Sequence, residues 1–112
     1  MKSSFVSTYG QNVIKFEREI KKLTKSKFVI ATNSGTSALH IACLALGLGP
    51  RDIVWTSPIT FVASANCALY CGATVDFVDI DPKTYNLSID YLKEKLIQAK
   101  KKNKLPILIN YN

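Results

Sequence analysis

The sequence predicts an α/β fold, a mostly parallel sheet covered by helices on both faces. Three observations predict it. Short β-forming runs alternate with helical patterns from Phe28 to Ile109. Two long uncharged spans, 28–50 and 53–75, are cut by Ser, Thr, Asn, Gly or Pro, which suits buried core elements. Small polar turns follow Thr32 and Thr56, so both fall at carboxyl ends of expected strands, where such sheets bind ligands.

Taken in order, residues 11–24 place Val13, Phe16, Ile20 and Leu23 at helical spacing among Lys and Glu, an amphipathic helix. Residues 28–32, FVIAT, read as a strand. Residues 36–46 read as a helix apolar on nearly all sides, ended by Gly47 and Gly49-Pro50. Arg51-Asp52 turns the chain into a second strand, 53–56, which a Ser57-Pro58 break closes. Residues 60–71 form another buried helix, with Gly72 as its stop. The alternating run 74–79 is a third strand, and Asp81-Pro82 turns. Ser88 can cap a helix over 89–100, with Asp90 near its positive end and Leu92, Leu96 and Ile97 facing inward. A fourth strand is expected over 105–109. No repeat, low-complexity tract or linker interrupts the 112 residues, which suit one small domain.

The net charge is +7, from 15 Lys plus Arg against 8 Asp plus Glu. Such a balance raises the question of nucleic acid. The lysines gather instead near helix C-termini, at Lys21, Lys22, Lys25 and Lys27 and at Lys100, Lys101, Lys102 and Lys104, without interleaved aromatics. A solvated surface and no nucleic-acid partner are expected. The apolar stretches are shorter than the roughly 20 residues a membrane span requires. Cys43, Cys67 and Cys71 form no paired framework, and no apolar segment follows Met1-Lys2-Ser3-Ser4, so a reduced, cytoplasmic chain is expected. His40 is the single histidine, which leaves a zinc site short of ligands.

The stretch NSGTSALH, residues 33–40, has neither the Gly-Lys-Ser/Thr of a P-loop nor the spacing GxGxxG. It puts Gly35, Thr36 and Ser37 at a helix start, where backbone N–H groups, two hydroxyls and the helix dipole suit one phosphate monoester. An ordinary capped turn has the same local pattern. Phe61, just inside the next helix at the same sheet edge, could cover a flat heterocycle or fill the core. His40, one turn into its helix, reads as a core histidine. Asp76, Asp79 and Asp81 alternate toward an Asp-Pro turn, and no further metal ligand accompanies them.

Three motifs in order, NSGTSALH, GLGPRDIVWTSPITFVASAN and GATVDFVDIDPKTYN, resemble the DegT/DnrJ/EryC1/StrS sugar aminotransferases. The resemblance runs from about Gly10 to about Ile109. It implies part of the large, pyridoxal 5'-phosphate-binding domain of aminotransferase fold type I, incomplete over residues 1–112. It implies that Gly35, Thr36 and Ser37 hold the cofactor phosphate and that Phe61 stacks on the pyridine ring. Thr8-Tyr9-Gly10 matches the glycine turn near the family's nucleotide-sugar site. The stretch SPITFVASANCALYCGATVDFVDID is most similar to transaminases that aminate a UDP-linked 4-keto-6-deoxy sugar toward pseudaminic acid. A nucleotide-sugar substrate, glutamate as amino donor and a homodimeric full-length enzyme follow from the same resemblance. The family's covalently bound lysine and its ring-pairing aspartate come later in the chain, and none of the 13 lysines here occupies that position. An N-terminal portion without a catalytic residue, inactive alone, is therefore expected. The competing expectation is a non-catalytic α/β module that binds a phosphate ligand.

Overall fold

A computed structural model describes residues 10–110; the Thr8-Tyr9 match lies outside them. The chain divides into two compact units, Met1–Asn33 and Ser34–Asn112.

In the first unit, helix α1 spans Gln11–Thr24 as its periodicity predicts. The Gly10 carbonyl accepts from Val13 and Ile14 N–H, and Lys25 ends the helix in the left-handed region at φ 56°. No residue of α1 is buried, and Phe16 and Leu23 of its apolar stripe are exposed. The run 28–32 is not a strand, which corrects the sequence expectation. A strand exists only through a ladder. Here the Ala31 N–H instead donates to the Glu17 carboxylate at 2.8 Å, and Phe28 and Ile30 stay exposed.

The second unit is built on a three-stranded sheet, all parallel. Strand β1, Ile53–Thr56, lies at its centre, between β2, Thr74–Phe77, and β3, Leu108–Asn110. Val54 pairs with Val75 on one side and with Leu108 on the other. Helices α2, Gly35–Ala45, α3, Ala63–Tyr70, and α4, Ile89–Lys101, supply the cover. Alternation along β1 sorts the two faces. Val54 turns toward α2 and α3, into a core with Cys43, Cys67, Ala68 and Ala73. Trp55 turns the other way, into a core with Val78, Leu87 and Ala99, joined by Leu92 and Leu96 of α4. The expected α/β architecture, helices on both faces of a parallel sheet, is the one observed.

Element boundaries shift for identifiable reasons. The third strand stops at Phe77, two residues early, because the Asp79 carbonyl accepts from Ser88 N–H and Ile80 pairs with Leu87 in an isolated bridge. The fourth begins at Leu108 rather than 105, since Pro106 has no N–H to give a ladder. Helix α3 starts at Ala63 rather than Thr60, because the Ser57 hydroxyl bonds both N–H and carbonyl of Ile59 and holds a turn there. Its end follows the sequence: Gly72 adopts φ +77°, and a Cβ there would stand 3.3 Å from the Pro50 ring. Helix α2 is not buried on all sides as its composition suggests. Only Cys43 is buried, and Ile41, Leu44 and Leu46 are exposed. Ile97 of α4 is likewise exposed rather than inward.

Candidate functional site

The stretch that the sequence singles out forms the first turn of α2. Ser34 is the N-cap, in extended backbone, and its hydroxyl accepts from the Ser37 N–H at 3.1 Å. The Ser34 and Ser37 hydroxyls lie 3.0 Å apart. The Ser34 carbonyl takes the first helical bond, from Ala38 N–H. The amides of Gly35 and Thr36 therefore have no acceptor inside the helix, and they sit at its positive end. Gly35 is exposed, needs no positive φ, and a Cβ added there would meet nothing within 4 Å. Neither backbone nor packing within the chain requires glycine at this point. Close approach of an outside group is the remaining physical use for it. Two forward-facing amides, the Thr36 hydroxyl and the Ser34–Ser37 hydroxyl pair make a donor set that fits a phosphate. Ser34 is the member that sequence reasoning left unassigned; its signal was the Ser three residues before Ser37, the spacing of a cap.

Phe61 lies before α3, not inside it, which corrects the sequence placement. Its carbonyl accepts from the Ser64 N–H at 2.9 Å, and its side chain is 69% exposed. It is not a core phenylalanine. The segment leaves the carboxyl end of β1, where Thr56 and Ser57 are buried. Asn110, paired with Thr56 across the sheet, donates from its side chain to the Ser64 carbonyl at 3.4 Å. The carboxyl edge of β1 and β3 is thus polar, and the Thr56 hydroxyl there is buried without a partner.

Gly35, Thr36 and Ser37 come together on one turn, while Phe61 stands on a separate segment. Helices α2 and α3 touch further along. The His40 and Tyr70 rings sit 5.3 Å apart, and the free thiols of Cys43 and Cys67 share one core. Burial, then the neighbouring Cys67, pushes the Cys43 thiol up to about 12, so it is neutral at physiological pH. His40 thus contacts an aromatic neighbour, and no cluster of metal ligands occurs among the described residues. Of the three aspartates, Asp76 is engaged by Lys95 at 2.7 Å, and Asp79 and Asp81 accept from nearby backbone amides. The largest hollows lie away from the α2 turn, the roomiest of them at the opposite, amino end of the strands. The α2 turn is therefore an open cradle and not a closed pocket. No helix among the described residues is long and apolar enough to cross a membrane.

Similarity to known proteins agrees with this geometry. GDP-perosamine synthase of Caulobacter vibrioides is 41% identical over 107 residues, which cover 96% of this chain and 29% of that protein. The chain thus spans less than a third of that relative's length. A DegT DnrJ EryC1 StrS aminotransferase from Brucella abortus superimposes with a TM-score of 0.75 at 33% identity, over 89% of this chain and 27% of that one. NtdA from Bacillus subtilis, solved with bound cofactor PMP, superimposes with a TM-score of 0.69 at 38% identity, over 78% of this chain and 20% of that one. These neighbours have the aminotransferase fold type I, and the parallel sheet described above is part of it. The pattern of the DegT/DnrJ/EryC1/StrS aminotransferase family matches residues 1–108, and the chain belongs to that family.

Proposed function

We propose that residues 1–112 form part of the cofactor-binding domain of a pyridoxal-phosphate-dependent transaminase acting on a nucleotide-linked sugar. The observation that carries this reading is the α2 turn, where Gly35, Thr36 and Ser37 present amides and hydroxyls to an anion. Pyridoxal phosphate, when bound, supplies an electron sink that lets an amino group move between two carbonyl carbons. Thr36 and Ser37 anchor its phosphate from this chain, and Gly35 lets the backbone approach it. Phe61 offers an exposed aromatic face to its ring. We assign no proton-transfer residue here, since the family's lysine and aspartate match no position of this sequence.

The finer reading is a UDP-linked 4-keto-6-deoxy sugar on the way to pseudaminic acid, aminated at the expense of glutamate by a cytoplasmic homodimer. The motif SPITFVASANCALYCGATVDFVDID supports it. The Caulobacter relative, named for a GDP-linked product, favours a GDP-linked sugar as the rival substrate. Comparing amination of UDP- and GDP-linked keto sugars by the complete enzyme separates the two.

The cofactor reading is tested on the chain itself by calorimetric titration with pyridoxal phosphate, with pyridoxal lacking the phosphate, and with nucleotides. Selective binding of pyridoxal phosphate, weakened about tenfold or more by Thr36→Val, is expected, because hydrogen bonds to a charged group contribute about 1.5–3 kcal/mol. Equal binding of nucleotides would favour the non-catalytic phosphate module. Unchanged binding by Thr36→Val would remove the Thr36 hydroxyl from the site.

A further inference from the structure

The opposite edge of the same sheet carries an arrangement that the transaminase reading does not use. Two hollows meet there and share Ile53 and Lys104. One, of about 640 Å³, is lined at the strand starts by Ile53, Thr74 and Ile107, with Arg51 and Lys104 on its walls. The other, of about 230 Å³, is lined by Lys95, Lys102 and Lys104. The acidic groups facing these hollows are already engaged. Asp52 accepts from the Gly49 N–H at 2.8 Å, and Asp76 pairs with Lys95 at 2.7 Å. Arg51, Lys102 and Lys104 are exposed and have no ion pair among the described residues. Arg51 and Lys104 thus line the larger hollow and Lys102 and Lys104 the smaller, and Lys104 joins the two.

The backbone at one of these cations is unusual. Asn103, at φ 51°, is the ordinary left-handed stop of α4, with its N–H on the Lys100 carbonyl. Arg51 is held at φ 81°, in the left-handed region that favours glycine. In the turn between Gly49 and Asp52, glycine at position 51 would relieve the strain, yet an arginine stands there.

We propose that this amino edge binds a phosphate-bearing polyanion, an oligophosphate chain such as a nucleoside triphosphate carries, held by Arg51, Lys102 and Lys104. Arg51 supplies a planar fork suited to two phosphate oxygens, and the lysines supply point charges across the smaller hollow. The site is separate from the α2 turn, and its occupancy is independent of the cofactor.

The test uses the full chain and inorganic tripolyphosphate, read by calorimetry and by amide chemical shifts. Saturable binding with shifts at Arg51, Asp52, Asn103 and Lys104 is expected. Arg51→Gln and the double variant Lys102→Gln/Lys104→Gln should each weaken it by about tenfold or more. Arg51→Lys should restore part of the loss. Arg51→Gly should melt at a higher temperature while losing affinity, which separates lost binding from lost folding. Lys21→Gln/Lys25→Gln removes the same charge from α1 and should leave binding intact, as should Thr36→Val. An equal loss in the α1 double variant, or an adenosine-free and nucleotide-free titration that never saturates, would overturn the proposal as general charge attraction. So would full affinity in Arg51→Gly.

Discussion

Phe61 presents a ring 69% exposed on the segment between β1 and α3. A large aromatic left in water gains nothing from burial, so truncating it should not cost stability. Phe61→Leu is expected to keep the melting temperature while weakening pyridoxal phosphate binding by about 0.5–1.5 kcal/mol, the worth of ring stacking beyond area; equal affinity in the two proteins would dismiss the stacking role. The thiols behave in the opposite sense. Cys43 and Cys67 are buried, and Cys71 is half-buried with its thiol on the Cys67 carbonyl. At neutral pH a thiol reagent should label Cys71 first and reach the other two only on unfolding. The raised Cys43 value has a sign: the folded chain holds that proton more tightly than the unfolded one. Its contribution is complete below the ordinary thiol value of about 8.5 and is lost as pH rises toward about 12. Melting temperatures across that alkaline window should fall, and fall less in Cys43→Ala.

Helix α4 was legible because every local signal agrees. Ser88 accepts from the Tyr91 N–H at 3.3 Å, Asp90 lies in the first turn, and Lys100 and Lys101 lie in the last. Ser88→Ala should cost about 1 kcal/mol, read by denaturant unfolding. Helix α1 and strand β1 were legible for the same reason, one from a 3.6-residue stripe and the other from a compact β-forming run. The run 28–32 has equal β propensity and still forms no strand, because a ladder needs a second chain segment that propensity does not encode. The apolar composition of α2 failed in a related way. It states what the helix can bury and not which side meets a neighbour, so Leu44 and Ile41 remain exposed. At the site, the α2 turn could be read from Gly35, Thr36 and Ser37 because the chemistry is local. The polar carboxyl edge, with Asn110 reaching Ser64, could not, since it joins residues far apart in sequence.

Across the molecule, a mixed contact adds to the apolar packing of α4 on the sheet. Lys95 lies 5.0 Å from the Trp55 ring centre, pairs with Asp76 and donates to the Phe77 carbonyl. Burial pushes the Asp76 carboxyl up, but the Lys95 bond, the Phe77 N–H and the Lys95 charge together hold it below its ordinary value. Its contribution is therefore present above the ordinary carboxylate value of about 3.9 and is lost as pH falls through the depressed one. The Asp76 side chain is 53% exposed, so solvent screening keeps the loss under about 1 kcal/mol. Lys95→Met should flatten the acid limb of the stability curve by that small amount. The central position of β1 reaches further. Its amides and carbonyls face partners on both sides, whereas β3, three residues long, is bonded along one side. Exchange with deuterated water should rank the chain accordingly. Peptides covering 53–56 should hold their protons longest, and those covering 108–110 should open first, by local release of the edge without unfolding the rest. The strand that adjoins the polar carboxyl edge through Asn110 is then also the one that breathes, which gives that end of the molecule a clock of its own.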